Sequence, residues 1–193
     1  MELTTRCVEK GLSIKDILYK GLINSMDEVG KKYEEGQYFL PDLIASADAM
    51  IAGMKILKPY LLEEKIESRG KVIMATVEGD EHDIGKNLVI IMLRAAGFTV
   101  VDLGTRVPAE EIIRAVADHK PDLVGLSALL TSTMPHMKET IEELEKLHLR
   151  GNVRIMVGGA PVSREFADSI GADAYGEDAF EAVEKAKELV IAL

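Results

Sequence analysis

Tryptophan is absent and cysteine occurs once, at Cys7, so no disulfide forms within this chain. Positive charge is also scarce. Against 33 Asp and Glu stand 23 Lys and Arg, a net charge of −10, and no basic stripe is present to neutralise phosphates. Nucleic acid and anionic membrane surfaces are therefore not expected as partners. No apolar run reaches the roughly 20 residues that a membrane helix needs, and the first residues lack the basic, apolar and small-residue order of a secretory leader. The expectation is a soluble cytoplasmic protein. What is plentiful is methionine, nine in 193 residues, which fills cores and adaptable apolar surfaces.

The chain changes texture once. Up to about residue 65 it reads as helices alone. Ser13 is placed to cap a helix, with Asp16 three residues on, and Ile14, Ile17, Leu18, Ile23, Met26, Val29 and Tyr33 make an apolar stripe that ends near Gly36. Pro41 opens another helix, whose stripe of Leu43, Ile44, Ala47, Met50, Ile51 and Met54 runs to Pro59, where a break and a short last helix are expected. A short helix before Gly11 completes a small helical bundle. The charged stretch from Glu63 to Arg69, closed by Gly70, reads as the boundary, giving a helical domain over 1–68 and a second domain over 69–193.

From Lys71 strands and helices alternate. Strands are expected at Val72–Val77, Thr99–Leu103, Asp122–Ser127, Val153–Val157 and Ala172–Tyr175. Helices follow each of them: from Leu88, from Pro108, up to Leu149, around Arg164–Ile170, and from Asp178. Five such pairs imply a doubly wound, flavodoxin-like parallel sheet of order 2-1-3-4-5, a Rossmann-like α/β fold. In that order the loops after the first and third strands face one crevice, where such sheets bind ligands.

The unusual polar residues sit in those loops. The first reads Gly79-Asp80-Glu81-His82-Asp83-Ile84-Gly85-Lys86-Asn87, the second Ser127-Ala128-Leu129-Leu130-Thr131-Ser132-Thr133, and the fourth strand ends in Gly158-Gly159-Ala160-Pro161. Glycines there let a bulky ligand approach bare backbone. Taken alone, Asp80 or Asp83 reads as a helix cap and His82 as a solvated loop residue. A magnesium pocket of the receiver-domain kind would want a lysine where Gly158-Gly159 stands. A zinc or non-haem iron site would want further convergent ligands. A metal that arrives with most of its ligands attached needs one histidine, its other ring nitrogen donating to a carboxylate.

The pieces Asp80-x-His82-x-x-Gly85, Ser127-x-Leu129 and Gly158-Gly159, each after the expected strand, resemble the signature of cobalamin-binding proteins. Val29-Gly30, Tyr33, Glu35-Gly36 and Phe39-Leu40-Pro41 resemble the helical cap that precedes this module in methionine synthase and in corrinoid methyl carriers. The resemblance spans nearly the whole chain. It implies a cobalamin or related corrinoid with its dimethylbenzimidazole tail swung aside and His82 as the lower cobalt ligand. It makes Asp80 the acceptor from His82, puts Thr133 where the family often has a serine bonded to that aspartate, and adds Asp83, Ile84, Gly85 and Leu129 to the cofactor's contacts. Ser127, Thr131, Gly158 and Gly159 would line the tail's slot, and Tyr33, Phe39, Leu40 and Leu43 would shield the upper face.

The function so implied is transport of a methyl group on cobalt from a substrate-specific methyltransferase to an acceptor methyltransferase using tetrahydrofolate or coenzyme M, with a reductive activase as a further partner. His82 would leave cobalt during the cycle, and the cap would move about a hinge at Glu63–Gly70. Two rivals use the same motif. An adenosylcobalamin mutase subunit normally lacks the helical cap, and a cobalamin-dependent sensor needs an output domain that these residues do not supply. The methyl donor is left open between methylamines, methanol, betaines and aryl methyl ethers. His119, His136 and His148, near helix ends, are expected to ligate nothing, and Glu177 and Asp178 are expected to cap the last helix.

Overall fold

The computed structural model describes residues 2–63 and 68–191. The chain divides into two compact units, Met1–Ser68 with Arg94–Gly97, and Arg69–Leu93 with Phe98–Leu193. Half of the expected hinge, residues 64–67, lies outside the described residues.

In the first unit, α1 (Glu2–Glu9) precedes α2 (Ile14–Asp16), which Ser13 caps by accepting the Asp16 N–H at 3.4 Å. The expected single α-helix is interrupted: a π-helical run, Ile17–Ile23, leads into α3 (Asn24–Glu34). An i→i+5 turn absorbs the five-residue step between Leu18 and Ile23, so both stay buried where a regular helix would rotate one of them away. Gly36, at φ +72°, closes α3 in the left-handed region. Next comes α4 (Leu40–Glu63), in whose first turn the Asp42 carboxylate accepts the Phe39 N–H at 2.9 Å. The break expected at Pro59 does not occur; α4 runs through it. Pro59 sits about one turn from the helix end, where one missing N–H leaves the earlier rungs intact. Leu57, absent from the expected stripe, is fully buried in line with Leu43, Ala47 and Met50, whereas Ile44 is exposed.

In the second unit, β1 (Lys71–Thr76), α5 (Ile84–Ala95), β2 (Thr99–Asp102), α6 (Ala109–His119), β3 (Leu123–Ser127), α7 (Pro135–Lys146), β4 (Arg154–Gly158), α8 (Arg164–Ser169), β5 (Ala174–Gly176) and α9 (Ala179–Ile191) alternate as expected. The sheet is parallel, in the order β2-β1-β3-β4-β5. The residues of β1, β3 and β4 are buried on both faces, as strands covered by helices on either side must be, whereas β2, at the edge of the sheet, is only partly covered. Ile73, Ala75 and Val77 pack with Ile112 and Val116 of α6, Met137, Ile141 and Leu144 of α7, and Ala167 of α8 in one core. Asp178 accepts the N–H groups of Phe180 and Glu181 at 2.8 Å and so caps α9, while Glu177 contributes only its backbone N–H, donated to Glu181. Among the described residues no helix is long and apolar enough to cross a membrane.

Candidate functional site

The site grows from the register of the sheet. Thr76 pairs with Ser127, Ser127 with Gly158, and Gly158 with Gly176, so a row of small residues crosses four strands at their carboxyl ends. Two residues back on the same face, Met74 pairs with Gly125 and Gly125 with Met156. Between this face and the helices α5 and α9 lies a cavity of about 540 Å³. Leu88 and Val89 line it from α5, Ala179 and Ala182 from α9, and Gly125, Ser127, Gly158, Gly159 and Gly176 from the sheet edge. Gly159 is required by its backbone: at φ +126°, an added Cβ would stand 1.9 Å from the Ala128 carbonyl oxygen.

At the cavity's edge stands His82, its side chain about half exposed at 49 %, beside the fully buried Asp80. Asp80 neither caps α5 nor faces solvent. Its Oδ1 accepts the ring Nδ1–H of His82 at 2.8 Å and the His82 backbone N–H at 3.0 Å. Its Oδ2 accepts the Thr133 hydroxyl at 2.7 Å and the N–H groups of Leu129 and Leu130 at 2.8 and 3.2 Å. Burial is the largest single influence on this carboxyl and raises its pKa. The bonds from Thr133, from the His82 and Leu129 amides and from the His82 ring together outweigh it and hold the group well below the usual carboxylate range. An ionised carboxylate only accepts, so the His82 proton sits on Nδ1 and the Nε2 lone pair is left for a ligand.

The other expected residues divide. Asp83, Ile84, Gly85 and Leu129 line the cavity together with His82. Ile84 is 85 % exposed although it opens α5, an apolar side chain facing open space at the cavity. Asp83 bonds the Asn87 side chain at 3.0 Å. Thr133 is buried at Asp80 and does not line the cavity. Thr131 lies on the exposed turn after β3, next to the Leu129 and Leu130 N–H groups that Asp80 accepts, and is not among the residues that line the cavity. In the helical unit Phe39 is 70 % and Leu40 is 41 % exposed and Tyr33 partly buried, but Leu43 is fully buried, so it packs rather than offering a surface. His136 pairs with Glu139 and His119 accepts Lys71 through its carbonyl.

Several residues went unforeseen. Lys86 is buried at the cavity, held by Asp102 at 2.7 Å and Asn87 at 2.9 Å. Met74, Gly125 and Gly176 also shape the slot. All three follow from strand pairing, which the sequence does not show: two residues before Gly158, Met156 pairs with Gly125 and Gly125 with Met74, and Gly176 pairs with Gly158 itself. Among the described residues no group of three or more His, Cys, Asp or Glu converges to hold a metal ion by itself. One outward-facing imidazole nitrogen beside a glycine-floored slot instead suits a metal carried in a macrocycle whose appended tail needs room.

A B12-binding domain family matches residues 70–184, and a second, also described as a B12 binding domain, matches residues 1–58. A corrinoid protein of Desulfitobacterium hafniense is 43 % identical over 192 residues, covering 98 % of this chain and 89 % of its own. The dimethylamine corrinoid protein 1 of Methanosarcina acetivorans is 47 % identical over 180 residues, covering 93 % of this chain and 84 % of its own. Among solved structures, a chain of the methanol:cobalamin methyltransferase complex of Methanosarcina barkeri superposes with a TM-score of 0.85 at 35 % identity, over 98 % of this chain and 72 % of that one. With a fold, a slot and a histidine that fit the same cofactor, the chain belongs to the B12-binding corrinoid proteins, and a corrinoid is its cofactor.

Proposed function

We propose that this protein carries methyl groups between a substrate-specific methyltransferase and an acceptor methyltransferase, with His82 as the protein's ligand to the corrinoid cobalt. The observation that carries the ligand role is the geometry of Asp80 and His82: a buried, ionised carboxylate takes Nδ1 at 2.8 Å and leaves Nε2 at the edge of the cavity. The bound corrinoid supplies the methyl-carrying chemistry of its cobalt. Everything else belongs to the chain. Asp80 fixes the ring's tautomer and raises its basicity, Thr133 and the Leu129 and Leu130 amides hold Asp80, and the row Ser127, Gly158, Gly159 and Gly176 makes room for the nucleotide tail. Asp83, Ile84, Gly85 and Leu129 contact the cofactor around that slot.

The methyl-transfer assignment draws support from relatives named for dimethylamine and trimethylamine and from the structural neighbour named for methanol. A one-carbon donor of that small, polar kind, brought by a separate methyltransferase, is the fitting substrate class. Tetrahydrofolate or coenzyme M on the second methyltransferase is the acceptor we assign, and a reductive activase the third partner. The test is reconstitution with cobalamin in the cobalt(II) state. Electron paramagnetic resonance should show one axial nitrogen that disappears in His82→Ala; a signal that survives the substitution, or that arises from the cofactor's own benzimidazole, overturns the ligand assignment.

A further inference from the structure

Thr76 ends β1, fully buried, and its hydroxyl donates to the backbone carbonyl of His82 at 2.9 Å. The N–H of the same histidine donates to Asp80 Oδ1 at 3.0 Å. The peptide groups on both sides of the His82 Cα are thus tied down, one to the carboxylate and one to the sheet. Thr76 is itself held on both sides, its N–H donating to the Gly104 carbonyl and its carbonyl accepting the Val107 N–H, each at 3.0 Å. The anchor is rigid strand; the loop it holds is exposed from Glu81 to Gly85.

Strand chemistry alone does not ask for a hydroxyl at this position. Valine has the same branched shape and at least the same preference for strands, and a buried hydroxyl without a partner is costly. The hydroxyl of Thr76 answers one need, the carbonyl of His82. An imidazole is aimed by its Cα position and two side-chain torsions. The Nδ1 bond to Asp80 restrains the torsions and leaves the Cα to the backbone. We infer that Thr76 is a positioning residue for His82: by fixing the histidine's carbonyl to the end of β1 it sets where Nε2 points, so that the ligand returns to one place whenever it has left. This rests on the reading of His82 as the cobalt ligand.

The test uses the full chain with Thr76→Val, Thr76→Ser and His82→Ala. In the protein without cofactor, amide hydrogen exchange at His82 is measured; in protein reconstituted with cobalt(II) cobalamin, the fraction carrying an axial nitrogen is read by electron paramagnetic resonance. Thr76→Val should speed amide exchange and shift the ligated-to-unligated ratio by about 10-fold, as expected from one buried hydrogen bond. Thr76→Ser, which keeps the hydroxyl and loses only a methyl, should stay near wild type in both. Wild-type ligation in Thr76→Val overturns the inference, even if amide exchange changes. So does an equal loss in Thr76→Ser, which would make the effect one of packing. A nitrogen signal that persists in His82→Ala identifies a different failure, that of the ligand reading, and the inference falls with it.

Discussion

The hydroxyl of Thr133 lies 2.7 Å from Oδ2 of Asp80, 53 residues away in sequence, and both side chains are buried. The same hydroxyl stands 2.9 Å from the Leu130 carbonyl, so its single proton is shared between a charged and a neutral acceptor. The charged one makes the stronger bond. Thr133 therefore ties the loop after β3 to the carboxylate that holds His82.

Removing that hydroxyl should weaken the hold on Asp80 without emptying the site. Thr133→Val is expected to leave the corrinoid bound and to change the fraction of histidine-ligated cobalt by roughly 10-fold, the lower end of what losing a partner behind a metal ligand costs. Thr133→Ser should be close to neutral. Axial-nitrogen resonance across the pair checks this, and equal behaviour of the two variants counts against it.

Asp80 should make the cofactor-free protein acid-sensitive. Its folded carboxyl titrates below its unfolded value of about 4, so between those two points the unfolded chain binds more protons and stability rises with pH. The contribution is complete above about pH 4 and is lost as pH falls towards the folded value. Urea midpoints measured from pH 6 down to 3 should fall more steeply for wild type than for Asp80→Asn. Parallel slopes would mean that Asp80 titrates alike in both states.

Two glycines at the site should fail differently. Gly159→Ala must push a methyl into the Ala128 carbonyl from a positive φ and should cost roughly 1–3 kcal/mol of stability or more. At Gly85, in the first turn of α5, an added Cβ meets nothing within 4 Å and enters the cavity. Gly85→Ala should keep or raise the melting temperature, since alanine favours helix by about 1 kcal/mol, and should weaken corrinoid binding. Melting curves and cobalamin titrations separate the two; a destabilised Gly85→Ala with full affinity would contradict the assignment.

Phe39 and Leu40 are large apolar side chains left exposed, and the family resemblance gives them the task of shielding the corrin. If they do so, Phe39→Ala and Leu40→Ala should speed photolysis of bound methylcobalamin at unchanged stability. Leu43→Ala should instead destabilise by about 2–5 kcal/mol, the usual cost of emptying a buried leucine position. Unchanged photolysis in both exposed-site variants would return them to ordinary surface.

The alternation of apolar runs with helical stripes was enough to determine the five strands and their order, because strands covered on both faces are apolar throughout and right-handed crossovers leave few topologies open. The Asp80, His82 and Gly85 spacing, in the loop between β1 and α5, likewise marked the ligand loop. What periodicity could not convey was anything that depends on pairing across strands. The row Thr76, Ser127, Gly158 and Gly176 exists only in register, Lys86 looks like a surface lysine until Asp102 is beside it, and Pro59 looks like a helix end until the turns on both sides hold. Asp80 is the sharpest case. Sequence left it between a helix cap and a histidine partner, and tertiary structure decided, because burial deprives a carboxylate of water and it stays ionised only where hydrogen-bond donors from distant segments converge on it.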